Sequence, residues 1–259
     1  MERTLAGQVA FVPGGYGDIG AAIAVALAEC GAMVAIGGRD LRKAMKLSDT
    51  LRDRGLAALA VALDVKRVDD IRRATDEVAE RFGAFDLLVN CVGIQREERL
   101  QDVSEAAFDE VVQTNLKAAM FLAQAAARHQ VAAVEAGRAP GRQVHLLSVR
   151  AQLGLQDRGY SAYCASKGGM VMLIRQHAVE LGRHGITVNG VAPTVVRGEM
   201  ARHWLEDPAI HEAVVRRIPL HRVAEPSDVV APVLFFCEPQ ARFVTGQILY
   251  VDGGLTATQ

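Results

Sequence analysis

This sequence has no excess of charge of either sign: 29 Lys and Arg stand against 30 Asp and Glu, for a formal net charge of -1. Nucleic acids and anionic membranes favour a concentrated positive surface, so neither is an expected partner. Arg138 and Arg142 flank a Pro-Gly turn but do not make a patch. Cysteine is scarce as well. Cys30, Cys91, Cys164 and Cys237 form no CxxC pair, and neither they nor the histidines have metal-ligand spacing. A chain of 259 residues does not need disulfides. The four therefore read as reduced thiols, packed as small hydrophobes, in a cytoplasmic protein. Long hydrophobic runs are missing too. The apolar stretch from Ala21 to Ala28 stops at Glu29, far too short to cross a bilayer, and Met1 to Gly7 has no basic-then-apolar signal pattern. There is no internal repeat and no low-complexity linker.

Half of the residues are hydrophobic and 23% are charged, the balance of a globular chain rather than a disordered one. Short apolar runs alternate with helical patterns. Strands are predicted at about 9–12, 34–36, 57–63, 85–89, 143–147, 186–191 and 247–251. Helices are predicted at about 19–30, 41–54, 68–81, 105–136, 161–183 and 227–237, with a polar, irregular stretch up to Leu220. Such alternation implies right-handed crossovers and an α/β fold. The expected form is one domain over 1–259, a Rossmann-type doubly wound parallel sheet of about seven strands with helices on both faces. Sheets of this kind bind ligands beyond the carboxyl ends of their strands. The motifs below fall at such ends.

Gly14-Gly15-Tyr16-Gly17-Asp18-Ile19-Gly20 lies between a strand and a helix. Glycine lets the backbone turn tightly and approach a phosphate, and the helix N-terminus favours negative charge. Taken alone, an ordinary strand-to-helix turn reads the same way. Further on, Tyr163 and Lys167 are four residues apart and share one helix face. A phenol with pKa near 10 is a poor base at neutral pH, and a nearby ammonium would lower that value. A Tyr-x-x-x-Lys pair is common by chance. This one follows a strand ending in Ser148 and precedes Asn189-Gly190-Val191-Ala192-Pro193.

Together these motifs resemble the short-chain dehydrogenase/reductase family over about residues 5 to 255. The resemblance implies hydride transfer between a nicotinamide cofactor and a small hydroxyl or carbonyl substrate. It divides the chain into a cofactor half, about 1–150, and a catalytic and substrate half, about 151–259. Ser148 is then expected to hold the substrate oxygen and Tyr163 to carry the proton. Lys167 would tune that phenol and hold the nicotinamide ribose, and Asn115 would hold a water linking Lys167 to solvent. Ser148 lies fifteen residues before Tyr163, where relatives usually show thirteen, and an insertion near 156–160 absorbs the difference. Cofactor contacts are expected from Gly14, Gly15, Gly17, Asp18, Ile19 and Gly20 of the turn. Arg39, Asp64, Val65, Asn90, Gly93, Pro193 and Val196 are expected to add to them, together with Tyr163 and Lys167. Asp252-Gly253-Gly254 matches the family's C-terminal signature.

The departures from the family pattern carry their own expectations. Pro13 stands for the usual threonine, Cys91-Val92 for Asn-Ala, Asp18 for the middle glycine of the turn and Gly198 for a threonine that often touches the pyrophosphate. A carboxylate at position 18 repels a pyrophosphate unless it points away. Gly38 stands where NAD-preferring relatives carry an aspartate, and Arg39 is placed to pair with a 2′-phosphate, which favours NADP over NAD. Arg96, Arg150 and Arg197, followed by His203 and Trp204, fall where the family builds its substrate pocket and suggest a positive rim for an acidic substrate. Within the family the chain resembles sugar-acid and polyol members of the gluconate 5-dehydrogenase kind. 3-Oxoacyl thioester reductases share the skeleton, and a cofactor-binding regulator with little turnover is the alternative of another class. The family also implies a homotetramer, paired through the helices at about 105–136 and 161–183. Ala118, Ala119, Met120, Ala123 and Ala126 would supply its packing surface.

Overall fold

The computed structural model describes residues 3–156 and 158–258. Its strands are β1 (Val9–Pro13), β2 (Met33–Gly38), β3 (Ala58–Ala62), β4 (Leu87–Asn90), β5 (Arg142–Leu146), β6 (Thr187–Pro193) and β7 (Ile248–Val251). The main helices are α1 (Asp18–Glu29), α2 (Leu41–Asp53), α3 (Val68–Phe82), α4 (Glu105–Val112), α5 (Ala118–Glu135) and α6 (Ser161–Gly182). They are followed by α7 (Arg202–Leu205), α8 (Pro208–Arg216) and α9 (Pro226–Cys237). The strands form one parallel sheet in the order β3-β2-β1-β4-β5-β6-β7.

β1, β2 and β3 read as continuous apolar runs because both faces of the sheet are covered, while β5 and β6 also bury Gln143, His145, Thr187 and Asn189. Alternate side chains go to opposite layers. Val12, Val34, Ile36, Val89 and Val191 pack with residues of α1, α2 and α9, whereas Phe11, Ala35, Val61 and Leu88 pack with α3 and α5. Phe11 is fully buried and meets Phe85 edge-on at 6.2 Å. Gly37 makes room for it, since a Cβ there would come within 2.7 Å of the ring. Truncating an aromatic side chain in such a core costs about 3–5 kcal/mol. Strand order reverses at β1, whose neighbours are β2 and β4. The turn after β1 and the segment after β4 therefore open one crevice at the carboxyl edge, the place where such sheets take ligands.

Three expectations are corrected here. The helix expected over 105–136 is two helices joined by a π-helical turn, Gln113–Lys117, which carries Asn115. The stretch up to Leu220 is not irregular: it holds α7 and α8, the latter capped by the Asp207 side chain with Pro208 in its first turn. The alanines expected on a subunit surface are inside this chain, with Ala118, Ala119, Ala123 and Ala126 at most 2% exposed. Met120 is left partly open, in an apolar groove with Leu116, Phe121, Met172 and Leu173. Asp157, within the insertion read at 156–160, lies outside the described residues, as do Met1 and Glu2. No described helix is long and apolar enough to cross a membrane.

Candidate active site

Ser148 follows β5 in extended conformation, and its Oγ accepts the Arg150 N–H at 3.2 Å. α6 brings Tyr163 and Lys167 to the same buried wall, 8% and 3% exposed. Lys167 Nζ lies 5.8 Å from the Tyr163 ring centroid and donates to the Leu146 carbonyl at 2.8 Å. The π-helical turn presents Asn115 to this wall. Its side chain spans both peptide groups of Ile94, accepting from the N–H and donating to the carbonyl at 2.9 Å each. It also donates to Ser166 Oγ at 3.0 Å, and Ser166 in turn bonds the Tyr163 carbonyl. Asn115 thus ties the segment after β4 to α6. A Cβ on Gly93 would come within 3.4 Å of Lys167 Nζ, so the glycine keeps space open beside the ammonium.

Burial decides the protonation of this group. The Tyr163 phenol is pushed up to about 12, with Ser148 and Arg150 pulling it back. Lys167 is pushed down to about 8 by the same desolvation. Burial thus disfavours both charges, and the groups that pull the phenol back are Ser148 and Arg150, where the expectation named Lys167.

The glycine turn is shaped for close approach. Gly14 has φ +75°, and a Cβ on it would touch the Cys91 carbonyl at 3.0 Å. A Cβ on Gly20 would stand 2.2 Å from the Gly14 oxygen. Gly17 begins α1 with no side-chain cap, leaving the helix N-terminus free to receive an anion. Ile19 packs beneath the turn with the core on that side of the sheet. Asp18 turns its carboxylate to the Glu199 N–H, 2.7 Å away, instead of to the turn. Asn90 accepts from the Val92 N–H at 3.1 Å and contacts His145 at 3.3 Å, a bracing arrangement. Asp64 accepts the Lys66 N–H at 3.1 Å, and Val65 is buried beside it. Pro13 and Pro193 end β1 and β6, and Val196 bridges to Ala224. Arg39 is exposed past the end of β2. The open glycine cradle, the uncapped helix and the missing acid at position 38 suit a dinucleotide.

The substrate-side residues are less uniform. Arg96 pairs with Glu110 at 2.7 Å and Arg197 with Glu225 at 2.8 Å. Arg150 donates to the carbonyls of Leu153 and Gly154 and, among the described residues, has no carboxylate partner. Trp204 is buried against Tyr160 and Tyr163, and exposed His203 lies edge-on to it at 5.6 Å. Sequence reasoning missed Glu97, which accepts from Arg158 at 2.6 Å and from the Tyr160 hydroxyl at 3.3 Å beside Trp204. It also missed Tyr16, whose ring covers Gly38 and whose hydroxyl accepts the Asp40 N–H at 3.1 Å. An aromatic residue inside a glycine turn was the available signal. No described cysteine forms a disulfide, and no described cluster of His, Cys, Asp or Glu suits a metal.

The fold and its turn define a nucleotide-dependent oxidoreductase. A family model described as enoyl-(acyl carrier protein) reductase matches residues 15–256. The chain is 31% identical to 5-keto-D-gluconate 5-reductase of Escherichia coli over 252 residues, 97% of this chain and 96% of the relative. It is 32% identical to a 3-oxoacyl-(acyl-carrier-protein) reductase of Staphylococcus epidermidis over 249 residues, 95% and 98% of the two chains. The crystal structure of a gluconate 5-dehydrogenase from Burkholderia cenocepacia in complex with NADP and tartrate superposes with a TM-score of 0.94, at 33% identity, over 100% and 99% of the two chains. The chain belongs to the short-chain dehydrogenase/reductase family and is an oxidoreductase that uses a nicotinamide cofactor.

Proposed function

We propose that this protein interconverts a secondary alcohol and a ketone on a small, acidic, sugar-like substrate, with NADP preferred to NAD. The observation that carries the substrate class is Arg150. Among the described residues no carboxylate pairs with its guanidinium; it is near enough to Tyr163 to pull its pKa down, and it stands two residues past Ser148. A carboxylate on the substrate would supply the missing counter-charge through charge-assisted hydrogen bonds. Names among the relatives support the reading: two of them act on gluconate or its 5-keto form, and one solved relative holds NADP with tartrate, a hydroxylated dicarboxylate. Gly38 and exposed Arg39 support NADP, since no carboxylate competes with a 2′-phosphate there.

In the proposed mechanism, a nicotinamide held at the turn would supply or accept the hydride. Ser148 Oγ holds the substrate oxygen, and Tyr163 exchanges the hydroxyl proton with it. Lys167, low in pKa for a lysine, holds the cofactor ribose and replenishes that proton. Asn115 fixes the wall on which the pair stands. The aromatic cluster of Tyr160 and Trp204 keeps water from the reacting carbon. Gly93, Asp64, Asn90 and Val196 shape the cofactor's bed.

Assay of the purified protein against sugar acids, polyols and 3-oxoacyl thioesters with both cofactors tests this reading. Sugar acids turned over with NADP, and more efficiently than their neutral counterparts, are the expected result. Preferred thioester reduction would favour the second reading, which the Staphylococcus relative supports. Tight cofactor binding without turnover would mean a regulator. We further propose a cytoplasmic homotetramer joined through the apolar groove at Met120 and Met172, since exposed Met172 and partly open Met120 favour burial. Light scattering at micromolar concentration checks the assembly, and a monomer would reject it.

A further inference from the structure

Two departures from the family pattern lie against each other. Asp18 opens α1 and Gly198 follows β6, yet a Cβ placed on Gly198 would stand 2.3 Å from Asp18 Oδ2 and 2.6 Å from its carboxyl carbon. The carboxylate fills the space that the family's usual threonine would take. It also accepts the N–H of the next residue, Glu199, at 2.7 Å across 181 positions of sequence. Upstream, Val195 and Arg197 are held by backbone hydrogen bonds to Ala224, and Arg197 pairs with Glu225. At Glu199 the hold passes to Asp18. Beyond it, a single 3-10 turn, Glu199–Ala201, leads into α7, which places Trp204 on Tyr160 in the cluster that includes Tyr163.

We propose that Asp18 is a positioning residue: its carboxylate latches the segment 198–205 to the cofactor turn and is thereby kept away from the cofactor's pyrophosphate. Asp18 and Gly198 are then one compensated exchange, not two separate weaknesses. The position favours an acid, because a carboxylate in the first turn of a helix is stabilised by the helix dipole. The inference rests on the reading of the turn as a dinucleotide site, but the latch itself is a contact between this chain's own residues.

The test is a cycle of Asp18→Gly, Gly198→Thr and the double variant Asp18→Gly/Gly198→Thr, which restores the family's usual pair. Hydrogen exchange is read at Glu199 to Leu205 in the nucleotide-free protein, and the NADPH dissociation constant by nucleotide fluorescence. Asp18→Gly should speed exchange at Glu199 by roughly tenfold, as expected for loss of a hydrogen bond to a charged acceptor. Gly198→Thr should displace the carboxylate, speed the same exchange and weaken NADPH by roughly tenfold. The double variant should bind NADPH at least about threefold more tightly than Gly198→Thr alone, because clash and charge are gone and only the backbone of residue 198, at φ +159°, still has to relax. If Gly198→Thr fails to fold, Asp18→Asn serves in its place, with exchange at Glu199 expected between that of wild type and Asp18→Gly. Unchanged exchange at Glu199 in Asp18→Gly overturns the latch. Effects on NADPH that multiply in the double variant overturn the compensation. Wild type that binds neither NADPH nor NADH overturns the cofactor reading, while the exchange data still decide the latch.

Discussion

The ring of Tyr16 lies so close to Gly38 that a Cβ on the glycine would stand 2.2 Å from Tyr16 Cε1 and 2.9 Å from its hydroxyl oxygen. The same hydroxyl accepts the Asp40 N–H, so the ring is held in place from both sides. An acidic side chain at position 38, the usual means of choosing NAD, has no room here.

Gly38→Asp alone is therefore expected to weaken both cofactors instead of switching preference, and to lower Tm. Adding Tyr16→Ser should open the space and let NADH bind better than NADPH. Fluorescence titration of the two reduced cofactors checks this. A clean switch to NADH by Gly38→Asp alone would show that Tyr16 yields freely.

Arg150 pulls the Tyr163 phenol down, and Ser148 does the same. The sign follows from charge: a cation or a donor favours the phenolate, so removing either raises the pKa. Alcohol oxidation needs the phenolate and should rise with pH. In Arg150→Ala the alkaline limb should move up by about one unit, and an acidic substrate should lose more than its neutral analogue. Rising salt should weaken the acidic substrate in wild type and matter less in the variant. An unchanged pH profile with equal loss for both substrates would place Arg150 outside the site.

Burying the Lys167 ammonium costs stability. Its folded pKa, about 8, lies below the ordinary value of 10.5. Between those values the unfolded chain binds more protons, so stability rises with pH through that window, and the penalty is fully present below about pH 8. Lys167→Met should therefore raise stability at pH 7 by on the order of 1–3 kcal/mol, less about 1 for the unpartnered Leu146 carbonyl. The gain should shrink from pH 8 toward 10.5 while turnover is lost. Denaturant unfolding at three pH values measures it. A less stable variant would mean that the ammonium is well solvated.

Much of this was legible in the residues. Apolar runs ending at Val12, Val89, Leu147 and Val191 placed four strand ends within two residues of where β1, β4, β5 and β6 stop. The Tyr163 and Lys167 pair followed from spacing, and Ser148 and Asn115 from the family resemblance. What was not legible depends on the third dimension. A π-helical turn has no periodic signature distinct from a long helix, so the break at Gln113 was unseen. α8 was missed although Asp207-Pro208 is a helix-start pattern, because the helix buries no residue fully and so leaves no strong apolar stripe. The buried alanines of α5 look the same in sequence whether they face a sheet or a second subunit. Most plainly, Asp18 beside Gly198 and Tyr16 beside Gly38 join residues far apart in the chain, and no local pattern pairs them.

The role of Tyr163 is the claim on which the rest depends, and Tyr163→Phe tests it most directly. The substitution keeps the ring against Tyr160 and Trp204 and removes only the proton carrier. Single-turnover hydride transfer, followed by nicotinamide absorbance with the cofactor at saturation, should fall by at least about a hundredfold. Cofactor dissociation constants should stay within about threefold of wild type, and Tyr160→Phe should retain most of the rate. A Tyr163→Phe protein that is folded, loaded with cofactor and transfers hydride at near the wild-type rate would contradict the account.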